Sequence, residues 1–472
     1  MEIKKQSQPA FAETLGGRIG AAMPLLTMLV AMLIMSIAGL RSTQNYWCAG
    51  FLGILVAWFV YKDKKRFQKA LVDGVSDQIF CTMVPIFLLS GVLSKILTAS
   101  HLVDGLLWLA SQIHLSTALV PLLCFIVAVL LSSATGSCAG TVTAVIPIML
   151  PMAVSMGCNA GLVCGATLAG GAFGDNLAPI SDTTIASSLT QEVDVSRVVR
   201  SRFKYSIAGG IPTVIFFLVL GFVMSDPTSA EALTIDNTYA SSLVFLVIPV
   251  LIVAMMLMKA NFFTAILVGE LVGAVMLLIF GYIDFPSLFS TDGIIITGFS
   301  GMLNTIVFMM FIFALVSITR DVGILQVMQD ALVKRAKSDT SAEVASGIMV
   351  SLTSIMIGSG TSAITFCGPI IRDILRPLCI DRARAANFLD GLGCGVGYLI
   401  PYSGGPLLLA SLAIATGVVT ESFSPTDFIF LNFYSYALII VYWVAIFTGW
   451  GRKHETDEEL AADGIYLDIS AS

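Results

Sequence analysis

The densest group of polar side chains within an apolar part of this sequence lies in GAFGDNLAPISDTT, residues 171–184. A carboxylate inside a bilayer costs about 2.5–3.5 kcal/mol on insertion scales, so carboxylates there favour a functional explanation over a stabilising one. Carboxylate, hydroxyl, amide and carbonyl oxygens are the ligands that a hard cation such as Na⁺ prefers. The segment therefore predicts a site that binds Na⁺ at Asp175 and Asp182, with Asn176, Ser181 and Thr183 beside them.

The two carboxylates could also bind a proton in place of Na⁺, because a buried charge needs a neutralising partner. The alternative is that 171–184 is an external loop whose aspartates are solvated. Its flanking apolar runs, 160–173 and 185–190, are each too short to cross a hydrocarbon core of about 30 Å. Their length favours a single crossing that is interrupted in its middle.

A second interrupted segment, CGVGYLIPYSGGP at 394–406, contains no carboxylate. It could supply carbonyl oxygens and the Ser403 hydroxyl, so the predicted site takes its charge from the first segment and neutral oxygens from the second. Two stretches rich in Gly, Ser and Thr could complete the cavity, although such residues also allow helices to pack closely. Their candidate residues are Ser137 and Thr141 in the first stretch, and Ser359 and Thr361 in the second.

Two further acidic residues, Glu270 and Asp390, are candidates for a proton relay. Glu270 lies near the centre of the apolar run AILVGELVGAV, and an ionisable residue within a membrane is a functional candidate by default. The alternative for Glu270 is a structural ion pair with Lys95 or Arg320. Asp390 lies in the second long segment, either inside the membrane or at its interface.

The composition indicates that membrane-spanning helices position these residues. The sequence is 57% hydrophobic and 12% charged, with a mean hydropathy of +0.91, whereas soluble proteins carry about 25% charged residues. Its apolar runs have the length, about 17–25 residues, that crosses a bilayer. We therefore predict an all-α polytopic membrane protein, surrounded by lipid, with about 11–12 transmembrane helices.

An internal repeat predicts how those helices are arranged. SCAGTVTA at 137–144 resembles GSGTSAIT at 358–365, and NLAPISD at 176–182 resembles YLIPYSG at 398–404, at offsets of 220 and 222 residues. Corresponding interruptions in two halves of a transporter point to its binding site. The prediction is two inverted repeats, each with a re-entrant hairpin and a broken transmembrane helix.

The predicted boundaries follow from this repeat. The first repeat covers 21–225, with its hairpin at about 134–157 and its broken helix at about 160–190. The second repeat covers 241–449, with its hairpin at about 358–380 and its broken helix at about 386–417. The remaining segments are a cytoplasmic N-terminal segment (1–20), a linker (226–240) and an acidic C-terminal tail (450–472).

Loop charges do not fit this arrangement consistently. Basic residues at 62–69 and at 197–204 both indicate cytoplasmic loops, yet three predicted spans lie between them. Inverted repeats also need an odd number of crossings in each half, whereas six are predicted in each. Counting 99–114 as a further crossing would remove both inconsistencies in the first half.

The sequence lacks the common motifs of enzymes and pumps. It contains no GxxxxGK[S/T] phosphate-binding loop, no HExxH zinc motif and no plausible nucleophile triad. Its nine cysteines form no CxxC pair and show no metal-like spacing with the three histidines. We therefore predict a transporter rather than an enzyme, with no cofactor other than Na⁺ and H⁺ as coupling ions and with no nucleic-acid partner.

GDNLAPISDTT at 174–184 resembles the signature of the NhaC-type sodium/proton antiporters, part of the larger ion transporter superfamily. The resemblance covers most of the chain in length, duplication and span pattern. It implies a two-repeat fold with hairpins and broken helices, a homodimer as in several relatives, and secondary transport in a bacterial plasma membrane. It assigns Asp175 and Asp182 as the motif aspartates, beside Asn176, Ser181 and Thr183. Some antiporters carry a basic residue where Asn176 stands.

The predicted function is Na⁺/H⁺ antiport by alternating access. The alternative within transport is Na⁺- or H⁺-coupled movement or exchange of a small organic carboxylate or amino acid, which the resemblance also allows. The Ser and Thr residues at the hairpins and the N-termini of half-helices suit an anionic group. A channel or a membrane-embedded receptor subunit is the alternative from a different class.

Overall fold

The computed structural model describes residues 11–40, 42–225, 237–258, 260–324, 332–333, 336 and 338–456. Within these ranges the chain is helical and has no β-strand beyond two isolated bridges, which confirms the predicted all-α class. The predicted N-terminal segment, linker and acidic tail lie partly outside the described residues, at 1–10, 226–236 and 457–472.

Nineteen α-helices occur in the described residues, together with short 3₁₀ turns. In the first half they are α1 (Gly17–Ile37), α2 (Thr43–Val60), α3 (Lys64–Val75), α4 (Gln78–Ala99), α5 (Leu102–Gln112), α6 (Val120–Thr135), α7 (Cys138–Ser155), α8 (Ala160–Leu177), α9 (Asp182–Thr190) and α10 (Val195–Met224). In the second half they are α11 (Val247–Leu257), α12 (Phe262–Ile279), α13 (Pro286–Phe289), α14 (Ile294–Asp321), α15 (Asp339–Ile357), α16 (Gly360–Leu375), α17 (Arg382–Gly397), α18 (Gly404–Ala415) and α19 (Phe433–Thr448).

Eight helices of the described residues are long and apolar enough to cross a membrane, or nine if the bent pair at 425–448 forms one span. They confirm a polytopic membrane protein. The prediction of about 11–12 crossings also counted the interrupted segments, and neither part of such a segment has the length of a crossing. The region 99–114, considered as an extra crossing, contains only the 11-residue helix α5.

The described chain divides into two compact units, 1–84 with 306–331 and 85–305 with 332–472. The smaller unit has a core around Tyr61 and Phe67, and a two-pronged ion pair joins Arg66 to Asp321 at 2.7–3.1 Å. The larger unit contains both hairpins, both interrupted segments and every residue of the candidate site.

The internal repeat is visible in the positions at which helices begin. α7, α8 and α9 begin 222 residues before α16, α17 and α18, respectively. The same hydrogen bond also occurs in each half: Ser132 donates to the Gly171 carbonyl at 2.7 Å, and Ser354 donates to the Gly393 carbonyl at 3.1 Å. The structural offset is therefore 222 residues throughout, and the sequence match of the hairpins at 220 is displaced by two residues.

Each hairpin turns on a Gly-Ser pair. Gly136 and Gly358 end the first helix of their hairpin with φ of 67° in both cases, a conformation that glycine adopts without the strain of a Cβ atom. Ser137 and Ser359 then cap the second helix by accepting a hydrogen bond from a backbone N–H three residues later. This chemistry explains why the two α-helices of a hairpin can follow each other with no longer loop between them.

Candidate ion-binding site

The interruption between α8 and α9, residues 178–181, lies beside the hairpin of its own half. A Cβ atom on Gly136 would stand 3.0 Å from the Ser181 backbone nitrogen, so the turn of the hairpin and the break touch each other. The second half repeats this contact, since a Cβ atom on Gly358 would stand 3.2 Å from the Tyr402 ring. The close packing of glycine therefore fixes each break against one hairpin.

Asp175, near the C-terminal end of α8, is the centre of the candidate site. Its side chain is buried, with only 5% of the residue exposed. One carboxylate oxygen accepts a hydrogen bond from Ser181 at 2.8 Å, and the other accepts one from the Tyr398 hydroxyl at 3.0 Å. Ser181 belongs to the first break and Tyr398 begins the second, so one carboxylate joins both interruptions.

The side chains of the first break extend this cluster. Ser181 occupies the N-cap position of α9, but its hydroxyl does not cap the helix. It donates to Asp175 instead and lies 3.0 Å from the Thr183 hydroxyl. Asp182, the first residue of α9, is exposed and makes no hydrogen bond within the described part of the chain. The structure therefore separates the two predicted aspartates into a buried one and an exposed one.

The second break supplies neutral groups, as predicted for it. Ser403 is buried and stands at the N-cap position of α18, again without a side-chain capping bond. Its hydroxyl has no hydrogen-bond partner among the described residues. The carbonyl of Tyr398 accepts a long hydrogen bond, 3.4 Å, from the Asn432 amide. The hydroxyls of Ser403 and Ser181 thus occupy equivalent positions of the repeat, but only Ser181 is bonded to a carboxylate.

A buried ion pair lies immediately behind this cluster. Arg202 of α10 and Asp390 of α17 are both 0% exposed and are joined by a salt bridge. Arg202 also donates to the backbone carbonyl of Asn176 at 2.6 Å and to the hydroxyl of Thr184 at 2.8 Å. Its third acceptor is the Asn387 side chain, at 2.9 Å. The guanidinium therefore holds a fixed positive charge against the carbonyl end of α8.

This arrangement changes two interpretations made from the sequence. Arg202 was counted with the basic residues of a cytoplasmic loop, but it lies inside α10 and is fully buried. Asp390, whose depth the sequence left open, is fully buried as well. Only the recurrence of basic residues three and four apart pointed to Arg202, and a solvated helix end produces the same pattern.

Asn176 is the third member of the buried network. Its side-chain oxygen accepts hydrogen bonds from Ser206 at 2.8 Å and from the Tyr434 hydroxyl at 3.2 Å. Its amide nitrogen has no partner, and neither do Nη2 of Arg202 and Oδ1 of Asp390. Leaving a buried polar group unpaired costs about 1–3 kcal/mol, more for a charge. Three such atoms in one hydrogen-bonded network indicate a site that accommodates another polar group.

The remaining predicted residues lie in the hairpins and in α12. Ser137 and Ser359 are occupied as helix caps, and Thr141 is buried with a hydroxyl that has no partner. Thr361 is half-buried in the first turn of α16. Because the structural offset is 222, Thr141 and Thr361 are not equivalent, whereas Ser137 and Ser359 are.

Glu270 lies apart from the cluster. It is half-buried on α12, and one of its carboxylate oxygens is buried without a hydrogen-bond partner. Lys95, proposed from sequence as a possible partner, instead donates to the Ala415 carbonyl at 3.0 Å. The described residues therefore offer Glu270 no ion pair, and it stays a predicted proton relay.

Comparisons with known proteins agree with this picture. The model of a family described as the Na⁺/H⁺ antiporter family matches residues 15–222 and 230–450. The malate-2H(+)/Na(+)-lactate antiporter of Bacillus subtilis is 27% identical over 441 residues, which cover 86% of this chain and 91% of the relative. The Na(+)/H(+) antiporter NhaC of Alkalihalophilus pseudofirmus is 22% identical over 357 residues, covering 71% and 76%. The arginine/ornithine antiporter ArcD of Halobacterium salinarum is 24% identical over 448 residues, covering 88% of each chain.

Proposed function

Because this chain belongs to the Na⁺/H⁺ antiporter family, we propose that it exchanges Na⁺ for H⁺ by alternating access, with Asp175 binding the two ions in turn. The family confirms the resemblance found in the sequence and the prediction of a secondary transporter. Together with the apolar helices it places the chain in a bacterial cell membrane as a multi-pass protein. The residues that bind the ions, and the mechanism, are the proposed part.

One observation carries the assignment to Asp175: hydroxyls from both breaks donate to its two carboxylate oxygens. A hydroxyl can donate a hydrogen bond or present a lone pair. When Na⁺ replaces the hydrogen bonds, Ser181 and Tyr398 can rotate their protons away and become ligands beside the carboxylate. Ion binding at Asp175 would then change the link between the two repeats, which is what an alternating-access transporter requires.

The remaining predicted residues take supporting roles in this proposal. Thr183 and Ser403 complete the oxygen shell, because the first bonds to Ser181 and the second has a free hydroxyl in the opposite break. Asp182, at the exposed N-terminal turn of α9, attracts Na⁺ toward the break without holding it in the buried site. The cap hydroxyls of Ser137 and Ser359 support the site by fixing the hairpin turns.

The Arg202–Asp390 pair supplies a fixed charge in this mechanism. Arginine stays protonated in proteins, so Arg202 cannot itself exchange a proton. By donating to the Asn176 carbonyl, it occupies the C-terminal end of α8, where a bound cation would otherwise be favoured. This contact confines the mobile cation to Asp175, the next residue along α8.

Na⁺-driven proton movement in proteoliposomes tests the proposal. We expect Asp175→Asn to abolish exchange, because the amide removes the charge and keeps the shape of the side chain. Asp182→Asn should leave exchange measurable and raise the Na⁺ concentration at half-maximal rate. Asp104→Asn, an exposed carboxylate of the same unit, is the matched control and should behave as the unmodified protein. Full activity of the Asp175 variant in a correctly inserted protein would refute the assignment.

A second candidate, the coupled exchange of a small organic carboxylate, is supported by the buried positive charge of Arg202 and by the malate and lactate named for one relative. A cation at the end of an interrupted helix suits a carboxylate group. Counterflow of labelled malate into liposomes preloaded with lactate tests this candidate. Counterflow that needs Asp175 would favour it over simple Na⁺/H⁺ exchange, and its absence would leave the ion-exchange proposal alone.

A further inference from the structure

A polar cavity of about 710 Å³ lies at the N-terminal ends of α10 and α17 in the larger unit. The C-terminal segment after α19 closes its third side. None of the sequence motifs predicted this cavity, and the proposed ion exchange does not use it. The lining is almost entirely polar, and Tyr205 is its one aromatic residue; the charged members of the lining are Asp194, Arg197, Arg200, Lys204, Asp381, Arg384, Lys453 and Glu455.

The acidic residues of the cavity wall are already neutralised. Asp381 and Glu455 both form salt bridges with Arg197, at 3.0 and 2.8 Å, and Glu455 also pairs with Arg382 at 2.9 Å. Asp194 caps α10 by accepting hydrogen bonds from two backbone N–H groups. These contacts leave no acidic residue of the wall to balance further positive charge.

Three cations of the wall, in contrast, have no acidic partner among the described residues. Arg200, Lys204 and Lys453 are exposed toward solvent and form no salt bridge there. Lys204 lies over the Tyr205 ring at 4.8 Å, which holds its amine at the wall. Two helix N-termini, each with a partial positive charge, open onto the same space. The cavity therefore has a local excess of positive charge in a protein whose net charge is −6.

We propose that this cavity binds a small soluble dianion with two carboxylate groups, held by Arg200, Lys204 and Lys453. Carboxylates are the natural partners of guanidinium and ammonium groups, since the hydrogen bonds are assisted by charge. The volume lies within the range of pockets that enclose small molecules, about 300–1,000 Å³. Three unpaired cations suit two carboxylates better than one, because a monoanion would leave two cations unbalanced.

An anionic lipid headgroup has similar chemistry, but the lining argues for a soluble ligand. A lipid in this site would need an apolar wall for its acyl chains, and the lining residues provide only the Tyr205 ring. The cavity also leads inward toward the buried ion pair. Asn387 lines it and accepts a hydrogen bond from Arg202, while its amide donates to Ser201 at 2.7 Å. A dianion held here would lie one side chain away from the Arg202–Asp390 pair.

Isothermal titration of succinate into the full-length protein, in nanodiscs of zwitterionic lipid, tests the proposal. The measurement uses no ion gradient, so it can succeed or fail independently of Na⁺/H⁺ exchange. We expect Arg200→Gln and Lys453→Gln each to weaken binding about tenfold, the effect of losing one charge-assisted hydrogen bond. The triple variant with Lys204→Gln should not bind measurably. Binding should also weaken as salt rises, because salt screens exposed charges.

Two further variants separate binding from folding. Lys204→Arg retains the charge and should bind succinate as the unmodified protein does. Lys65→Gln removes an exposed lysine outside the cavity and is the matched control. Unchanged affinity in the cavity variants, no succinate binding to the unmodified protein, or binding only of added phosphatidylglycerol would each overturn the proposal.

Discussion

The buried pair of Arg202 and Asp390 gives the sharpest test of how the interior is held together. Removing one partner of a buried ion pair typically costs about 3–5 kcal/mol, whereas replacing both partners with apolar residues is often neutral. We expect Asp390→Leu to cost about 3 kcal/mol, at the lower end, because Arg202 retains three neutral acceptors. Arg202→Met should cost more, since Asp390 would retain only the Thr184 hydroxyl at 3.1 Å.

The double variant is the decisive measurement. If the two charges depend on each other, Arg202→Met with Asp390→Leu should be more stable than either single variant. The coupling energy from the cycle should then be at least about 2 kcal/mol, well above the error of about 0.5 kcal/mol for independent sites. Titration with a denaturing detergent in mixed micelles, followed by tryptophan fluorescence, gives the free-energy differences.

An exposed ion pair provides the control for this cycle. Lys62 and Glu13 lie 3.0 Å apart with more than half of each side chain exposed, and exposed pairs are worth less than about 1 kcal/mol. The corresponding cycle with Lys62→Met and Glu13→Leu should show little coupling. If the losses at Arg202 and Asp390 were simply additive, the claim that this pair is a mutually dependent buried unit would be wrong.

Three further changes test the site and its frame. Tyr398→Phe removes one hydrogen bond to Asp175 and should change the Na⁺ concentration at half-maximal exchange about tenfold; an unchanged value in proteoliposomes would contradict its role. Gly136→Ala should lower the thermal midpoint more than Gly358→Ala, since its Cβ atom would meet fixed backbone rather than a ring that can move; equal midpoints would contradict this packing. Hydrogen bonds from Ser196 and Arg197 lower the pKa of Asp194, so its capping contribution is present at neutral pH and lost as pH falls through the lowered pKa; Asp194→Ala should therefore lower the thermal midpoint at pH 7 but hardly at acid pH.

Much of the scaffold could be predicted from the sequence because it depends on local chemistry. The apolar runs are long enough to cross a bilayer, and the Pro and Gly residues at 178–181 and 398–404 mark the places where α-helices stop. The Gly-Ser turns of the hairpins are equally local. The exact register of the repeat was less accessible, since GT pairs at 140 and 360 align by letter while the turns align two residues away.

The partners of the site could not be predicted in the same way because they come from distant parts of the chain. Tyr398 reaches Asp175 across 223 positions, and Asp390 meets Arg202 across 188 positions. A tyrosine in a Gly-rich segment and an arginine in a basic stretch both have simpler explanations within their own neighbourhoods. Only the folding of α10 and α17 around α8 gives these two side chains their roles.

The duplication also explains why the two breaks differ chemically. Ser181 and Ser403 share a backbone position, and each leaves the capping role that its position would allow. In the first half the residue six positions earlier is Asp175, which takes the Ser181 hydroxyl; in the second half the equivalent position is Gly397, which has no side chain to do so. The same scaffold thus carries a charge on one side and an unoccupied hydroxyl on the other. A mobile cation is therefore held from one repeat, while the other repeat can move relative to it without carrying the carboxylate away.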